Sequence, residues 1–167
     1  MAERKTPETL RASISQQRLP RWSELPDLEL YMDQVLSLAE RYLGACPGHK
    51  GLTAAMVNNY VKLGVIPPPV KKKYTRPHLA QLLMICVLKS VLPIDSVKFM
   101  FTQSFSDGDI SSIYDDFCSE FEQSARSSVS ALPNDLKLFE VYRAALRAQA
   151  EQTLALELYE ALSGNID

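Results

Sequence analysis

Hydrophobic residues recur at three- and four-residue steps along most of this chain, which is the spacing of helices that bury one face. The first clear case follows Asp27, which we expect to cap a helix that extends to about Leu43. The apolar positions of this helix share one face: Leu28, Tyr31, Val35, Leu38 and Tyr42. Residues 1–26 contain three prolines and little periodicity. They predict an N-terminal arm that docks through Leu19, Trp22 and Leu25.

A shorter helix is predicted over residues 53–63, after a loop over residues 45–51. Thr53 is its expected N-cap, and Gly64 supplies the left-handed residue that ends it. Its inward positions are Met56, Val57, Tyr60 and Val61, so Asn58, Asn59 and Lys62 lie on the outward face. Three prolines, 67–69, then exclude helix and favour an extended strap that leads to the lysines at 71–73.

Helical periodicity continues to the end of the chain. Thr75 is the expected cap of a helix over 76–91 that is apolar nearly all round, which is typical of the buried centre of a domain. Shorter amphipathic helices are predicted over 94–105 and 110–121, and the serine-rich residues 124–131 predict a linker. A long helix over 133–163 carries a continuous apolar stripe: Leu136, Phe139, Tyr142, Leu146, Ala150, Leu154, Leu158 and Leu162. The fold class predicted by these patterns is all-α.

Composition is that of an ordinary globular protein, with 46% hydrophobic and 23% charged residues. No apolar run reaches the roughly 18 residues that span a bilayer, and the first residues lack the apolar core of a secretory signal. Three cysteines lie far apart, which fits neither a disulfide framework nor paired metal ligands. A cytoplasmic location and no membrane association are the resulting expectations.

The distribution of charge changes this picture more than the net charge of −2 does. Residues 45–105 contain 8 basic residues and 1 acidic residue, whereas residues 1–44 have a net charge of −1 and residues 106–167 a net charge of −8. A basic middle between neutral and acidic flanks favours a polyanion-binding surface in the middle, although a solvated basic face gives the same count.

The pattern in residues 28–105 resembles the DNA-binding domain of MerR-type regulators. The resemblance rests on two runs: Met56-Val-Asn-Asn-Tyr60 through Gly64 to Pro67, and Lys73-Tyr74-Thr-Arg-Pro-His-Leu79 with its following apolar helix. It implies a winged helix-turn-helix followed by two supporting helices. The wing here lacks the Asn-Gly turn of a hairpin, so we expect it to be short or vestigial.

A closer resemblance is to an uncharacterised bacterial family, mainly from Firmicutes, that is typified by YkrK and known as a domain of unknown function. The run MVNNYVKLGVIPPPVKKKYTRPHLAQLL and the earlier LYMDQVLSL are typical of it. This resemblance implies a DNA-binding regulator and nothing more specific. The expected organisation is an arm over 1–26, the MerR-like domain over 27–105 and a helical C-terminal region over 106–167.

Residues expected to contact DNA follow from these patterns. Lysines and arginines of the strap neutralise phosphates, and an asparagine on a recognition helix binds adenine in a bidentate way. For each, the alternative is a solvated surface position, and for Tyr60 and Tyr74 it is the core. The candidate DNA-binding residues are Thr53, Asn58, Asn59, Lys62, Lys71, Lys72, Lys73, Tyr74 and Arg76.

Catalytic and metal-binding patterns are missing from the sequence. We find no phosphate-binding loop, no nucleophile elbow and no HExxH motif, and the two histidines are His49 and His78. The pair Cys46 and His49 has no second close pair to complete a zinc site. We therefore expect no enzyme activity, no metal and no cofactor.

The functional expectation is a transcription regulator that binds double-stranded DNA. Helix 53–63 would lie in the major groove and the strap 71–76 on the phosphate backbone. Since such proteins usually read two half-sites, we expect a homodimer formed through the C-terminal helices, although that helix could also fold back on its own domain. The alternative function is a protein-binding adaptor that kept a MerR-like scaffold and does not bind DNA. A ligand sensor whose pocket lies between the C-terminal helices and the domain is compatible with either function, and the sequence does not identify its effector.

Overall fold

The computed structural model describes residues 5–44, 50–106 and 109–164 of the 167-residue chain. Every regular element in these ranges is helical, and β pairing is limited to two isolated bridges. The expected all-α class is therefore confirmed. The chain divides into a central unit, Leu19–Cys118, and a terminal unit formed by Met1–Arg18 and Ser119–Asp167.

The central unit opens with a 3-10 helix, Trp22–Glu24, and its described residues then form four complete α-helices. They are α2 (Met32–Leu43), α3 (Ala54–Lys62), α4 (Arg76–Leu88) and α5 (Ile94–Ser106), and the first half of α6 (Ile110–Ser130) completes the unit. Helix α2 packs against both α3 and α4. Two predicted caps are confirmed: Thr53 accepts a hydrogen bond from the backbone N–H of Met56, and Thr75 forms a capping box with His78.

Helix α4 is the centre of this core. Nine consecutive residues, from His78 to Cys86, are buried, so the helix presents no solvated face over that length. Around it lie fully buried side chains from α2, α3 and α5, of which Val35, Val57 and Val97 are examples. The all-round apolar pattern predicted for this segment is thus explained by contacts on every side.

The predicted start of α2 at Asp27 is wrong. The helix begins at Met32, and the residues before it are extended because Leu30 pairs with Tyr74 in an antiparallel bridge. Leu28 and Tyr31, which the periodicity places on the buried face, are 57% and 54% exposed. Their apolar spacing therefore does not belong to the helix.

Two further segments are helical where the sequence predicted none. Residues 124–131 belong almost entirely to α6, and the hydroxyls of Ser128 and Ser130 donate to the carbonyls of Ala125 and Ser127 at 2.8 Å. Serine satisfies itself this way inside a helix when no glycine or proline interrupts it. In the predicted arm, α1 (Pro7–Ser15) forms behind an N-cap at Thr6.

The terminal unit consists of α1, the second half of α6 and α7 (Leu138–Ser163). Arg11 ties α1 to the segment after α6, since its guanidinium donates to the carbonyl of Leu132 and to Asn134 Oδ1. Helix α7 contains no buried residue. The domain limits of 27 and 105 stay predictions; the compact central unit extends beyond them at both ends.

Helices α1 to α7 are too short or too polar to span a membrane: within residues 5–44, 50–106 and 109–164, no helix is long and apolar enough to cross a bilayer.

Candidate nucleic-acid interface

The strap ends in a tight two-residue hairpin with lysines at both central positions. Val70 and Lys73 exchange two backbone hydrogen bonds, of 3.2 and 2.9 Å, and between them Lys71 and Lys72 have φ angles of 50° and 64°. Positive φ at both central residues is the mark of the type I′ turns that close hairpins, where Asn-Gly is the usual pair. The strap therefore closes in a two-residue hairpin turn, although its sequence lacks the Asn-Gly signal.

Lysine is an unusual residue at such a position. A left-handed conformation costs a residue with a Cβ about 1–2 kcal/mol. Two adjacent left-handed lysines persist because the chain on either side holds them, and strain of this kind concentrates at functional sites. Both side chains are exposed, and neither takes part in an ion pair within the described residues.

The base of the hairpin is fixed by the extended segment before α2. Leu30 and Tyr74 exchange two backbone hydrogen bonds of 2.8 Å, and both side chains are buried. One residue before the bridge, Lys73 Nζ lies 2.7 Å from Glu29 Oε2, and this hydrogen-bonded carboxylate raises the pKa of Lys73. Lys73 is thus already paired within the chain.

Arg76 is also engaged by its own chain. Its guanidinium lies 3.4 Å from Asp27 Oδ2 and stacks 5.5 Å from the centre of the Trp22 ring. The side chain is only 19% exposed. Arg76 therefore holds the start of α4 against the residues before α2. Arginine suits this place better than lysine, because its planar guanidinium can stack on an aromatic ring and pair with a carboxylate.

His78 connects the strap to α4. Its Nδ1 accepts a hydrogen bond of 3.1 Å from the backbone N–H of Thr75, so the ring proton belongs on Nε2. The ring also meets Tyr74 edge-on, with centroids 5.5 Å apart. Burial lowers the pKa of His78, and the carbonyls of Pro67 and Pro68 oppose that shift. The neutral ring therefore caps the first turn of α4 and packs against Tyr74.

The lowered pKa of His78 predicts that acid destabilises the central unit. Below the unfolded-state value of about 6.5 the unfolded chain binds a proton that the folded ring resists. The contribution is present above that pH and is lost as the pH falls through the folded pKa. We expect the free energy of unfolding to fall between pH 7.5 and pH 5. In His78→Gln, whose amide can still accept from Thr75, urea titrations followed by circular dichroism should show a smaller fall. An identical fall in both proteins would contradict the assignment.

Helix α3 presents a polar face to solvent. Asn58, Asn59 and Lys62 are exposed, while Val57 and Tyr60 hold the opposite face in the core. The backbone N–H of Val65 donates to the carbonyl of Tyr60 at 2.9 Å, and Gly64 adopts a φ of 69° between them. The exit from the helix is therefore closed in the left-handed way that glycine permits. Burial raises the pKa of Tyr60, as expected for a core tyrosine.

The predicted site residues thus fall into two groups. The exposed ones are Thr53, Asn58, Asn59, Lys62, Lys71 and Lys72. The others form the framework of the hairpin, and they are Lys73, Tyr74 and Arg76. Burial also raises the pKa of Tyr74, which agrees with a place in the core. Sequence reasoning missed the partners of this framework, namely Trp22, Asp27, Glu29 and Leu30, because contacts across 44 to 54 residues leave no periodic signal.

Metal binding has no support in the described part of the chain. No group of three or more histidine, cysteine, aspartate or glutamate side chains is arranged there to hold an ion. The side chains of Cys86 and Cys118 are buried, the thiol of Cys118 donates to the carbonyl of Pro20 at 3.6 Å, and burial raises the pKa of Cys86. Cys46 and His49 lie outside the described residues.

Comparison with known proteins identifies the central unit. A family model described as "Domain of unknown function (DUF1836)" matches residues 20–117, limits that fall one residue inside each end of the central unit. No curated protein matches the chain, and no solved structure does. The expected membership of an uncharacterised family is thereby confirmed. None of these findings concerns a MerR-type domain, so that resemblance stays a prediction. Since the model covers more than half of the 167 residues, the chain belongs to the DUF1836 family.

Proposed function

We propose that the central unit binds double-stranded DNA as a MerR-like winged helix-turn-helix and acts as a transcription regulator. The observation that carries the proposal is the hairpin tip, where Lys71 and Lys72 are exposed at strained positive φ on a base fixed by several contacts. If this turn served only to close the hairpin, Asn-Gly would form it with less strain than two lysines do. Two lysines there suit a contact with phosphates.

The helix before the strap supports the same function. Asn58, Asn59 and Lys62 are exposed together on one face of α3, and the opposite face is held in the core. A helix held in this way can enter a major groove, where asparagine pairs with adenine. The order of α2, α3, hairpin, α4 and α5 is also the order of elements that the MerR resemblance implies. In this proposal Tyr74 and Arg76 position the hairpin, while the exposed residues contact DNA.

A selection experiment tests the proposal. The full chain is incubated with a pool of random duplexes, and the bound duplexes are sequenced. We expect one enriched motif and an affinity that falls steeply with salt. The slope of log affinity against log salt concentration should be about −0.9 for each phosphate contact. Salt-insensitive recovery without a motif would overturn the proposal. It would favour the alternative of a protein-binding adaptor, which a stable protein partner in a pull-down would then support.

The strained turn gives a more specific prediction. Replacing Lys71 by Asn and Lys72 by Gly installs the pair that a type I′ turn prefers. We expect the central unit to become about 1–3 kcal/mol more stable, because relief of about 1–2 kcal/mol of strain at each position exceeds the roughly 0.5–1 kcal/mol entropic cost of the glycine. DNA affinity should fall at the same time, since two phosphate contacts are lost. Urea denaturation and fluorescence anisotropy with a labelled duplex measure the two effects. Unchanged affinity in the stabilised variant would remove the hairpin tip from the binding surface.

A further inference from the structure

Helix α7 is exposed along its whole length. None of its 26 residues is buried, and the large apolar side chains of Leu154, Leu158 and Leu162 are each more than half exposed. These leucines follow one another at four-residue steps and so share one side of the second half of the helix. Large apolar side chains in this number are rarely left in water on a stable surface.

The apolar positions of α7 do not form one straight stripe. Four-residue steps on a helix of 3.6 residues per turn rotate by about 40° each, so the predicted stripe winds around the helix. The side that carries the three leucines in the second half carries small and charged residues in the first half. Ala144 precedes Leu162 by 18 residues and Arg147 precedes Leu158 by 11, which are about five and three full turns.

That side of the first half lines a groove within the terminal unit. The groove has a volume of about 610 Å³ and lies between the end of α6 and α7. Small residues line much of it: Ser124, Ser127 and Ser128 from α6, and Ala144 and Ala148 from α7. The same face of one helix therefore has a groove of small residues at one end and a row of leucines at the other.

Charge is divided between the two ends as well. The first half of α7 carries Arg143 and Arg147 against one acidic residue, Glu140, which lies 3.4 Å from Arg143, whereas the second half carries three glutamates, Glu151, Glu157 and Glu160, and no basic residue. The acidic end opposes the helix macrodipole, which favours basic residues in the last turn. A neighbour running in the opposite direction would place its more basic first half beside this acidic second half.

We propose that the occupant of the groove is the second half of α7 from another copy of this chain, in an antiparallel two-fold pair. Full overlap of the two helices centres the axis between Ala150 and Glu151 and sets Leu158 level with the partner's Arg143. The leucines of each copy then enter the groove of the other, and Arg143 lies within one turn of Glu157 of the partner subunit. Two-fold symmetry satisfies both grooves at once.

This pairing is independent of DNA binding, and oligomeric state tests it directly. Light scattering during gel filtration should give twice the chain mass of 18.7 kDa for the full chain. The variant Leu154→Glu with Leu158→Glu should be monomeric at tens of micromolar. The matched control is Leu138→Glu, whose side chain is 75% exposed on the same helix but about half a turn away. We expect it to remain dimeric. A monomeric full chain, or equal dissociation of both variants, would overturn the proposal.

If circular dichroism shows that the leucine variant has lost helix, an exchange of charges tests the same pairing. Arg143→Glu should weaken the dimer at least tenfold, since each dimer contains the pair twice. Adding Glu157→Arg should restore it. The two positions are about 21 Å apart along one helix, too far to pair within a chain. Restoration therefore supports an antiparallel partner, and failure to restore excludes this arrangement.

Discussion

Replacing Lys71 and Lys72 together with glutamate should lower the affinity for duplex DNA at least 100-fold at about 0.1 M salt. In the proposed complex each of these lysines would neutralise a phosphate and release a condensed counterion, and each glutamate would add repulsion. The loss of two contacts should also reduce the slope of log affinity against log salt by about 1.8. Gel-shift or anisotropy titrations at several salt concentrations measure both quantities. An affinity and slope close to those of the unchanged protein would exclude the hairpin from the interface.

The variant spares Lys73 for a structural reason. Lys73 is bound to Glu29, so changing it would leave that carboxylate facing another and would disturb the base of the hairpin. A matched control is the variant Lys89→Glu with Lys137→Glu, which makes the same change in net charge. Lys89 follows α4 at the end opposite Arg76, about 20 Å away, and Lys137 belongs to the terminal unit. We expect the control to lose less than tenfold in affinity.

Local signals allowed much of this fold to be predicted. Thr53 and Thr75 were identified as caps from sequence because a cap depends on residues within one turn. The burial of α4 was predicted from its own sequence as well, because apolar residues occupy all of its faces. The linker predicted over 124–131 is wrong because composition alone does not break a helix, and the serines bond to the preceding turn.

The hairpin and the start of α2 depend on contacts that are distant in sequence. Leu30 pairs with Tyr74, and that one bridge keeps residues before Met32 extended in spite of their helical spacing. Positive φ at Lys71 and Lys72 runs against the preference of lysine, so no turn rule predicts it. Tertiary contacts therefore determine both the start of α2 and the conformation of the hairpin. The candidate residues on α3 were correctly expected to be exposed, whereas Lys73 and Arg76 are held by carboxylates outside any local pattern.

Leu82→Ala should cost the central unit about 2–5 kcal/mol of unfolding free energy, the range for a fully buried leucine in a rigid core. Helix α4 is enclosed on every side, so its neighbours cannot collapse into the cavity without moving several helices. The control is Leu28→Ala, which removes the same atoms from a side chain that is 57% exposed and should cost under about 0.5 kcal/mol.

Fluorescence of Trp22 measures the stability change in the central unit alone. Trp22 is the single tryptophan of the chain, and its ring contacts Tyr114 and Arg76 in the same unit. Total stability of a domain is usually about 5–15 kcal/mol, so the change removes a large share of it.

Under conditions where Leu82→Ala remains folded, its DNA affinity should match that of the unchanged protein, because the hairpin tip and the exposed face of α3 are untouched. A loss below about 1 kcal/mol would mean that α4 is not the centre of the core. Such a result would also withdraw the support that holds α3 and the strap in place for binding.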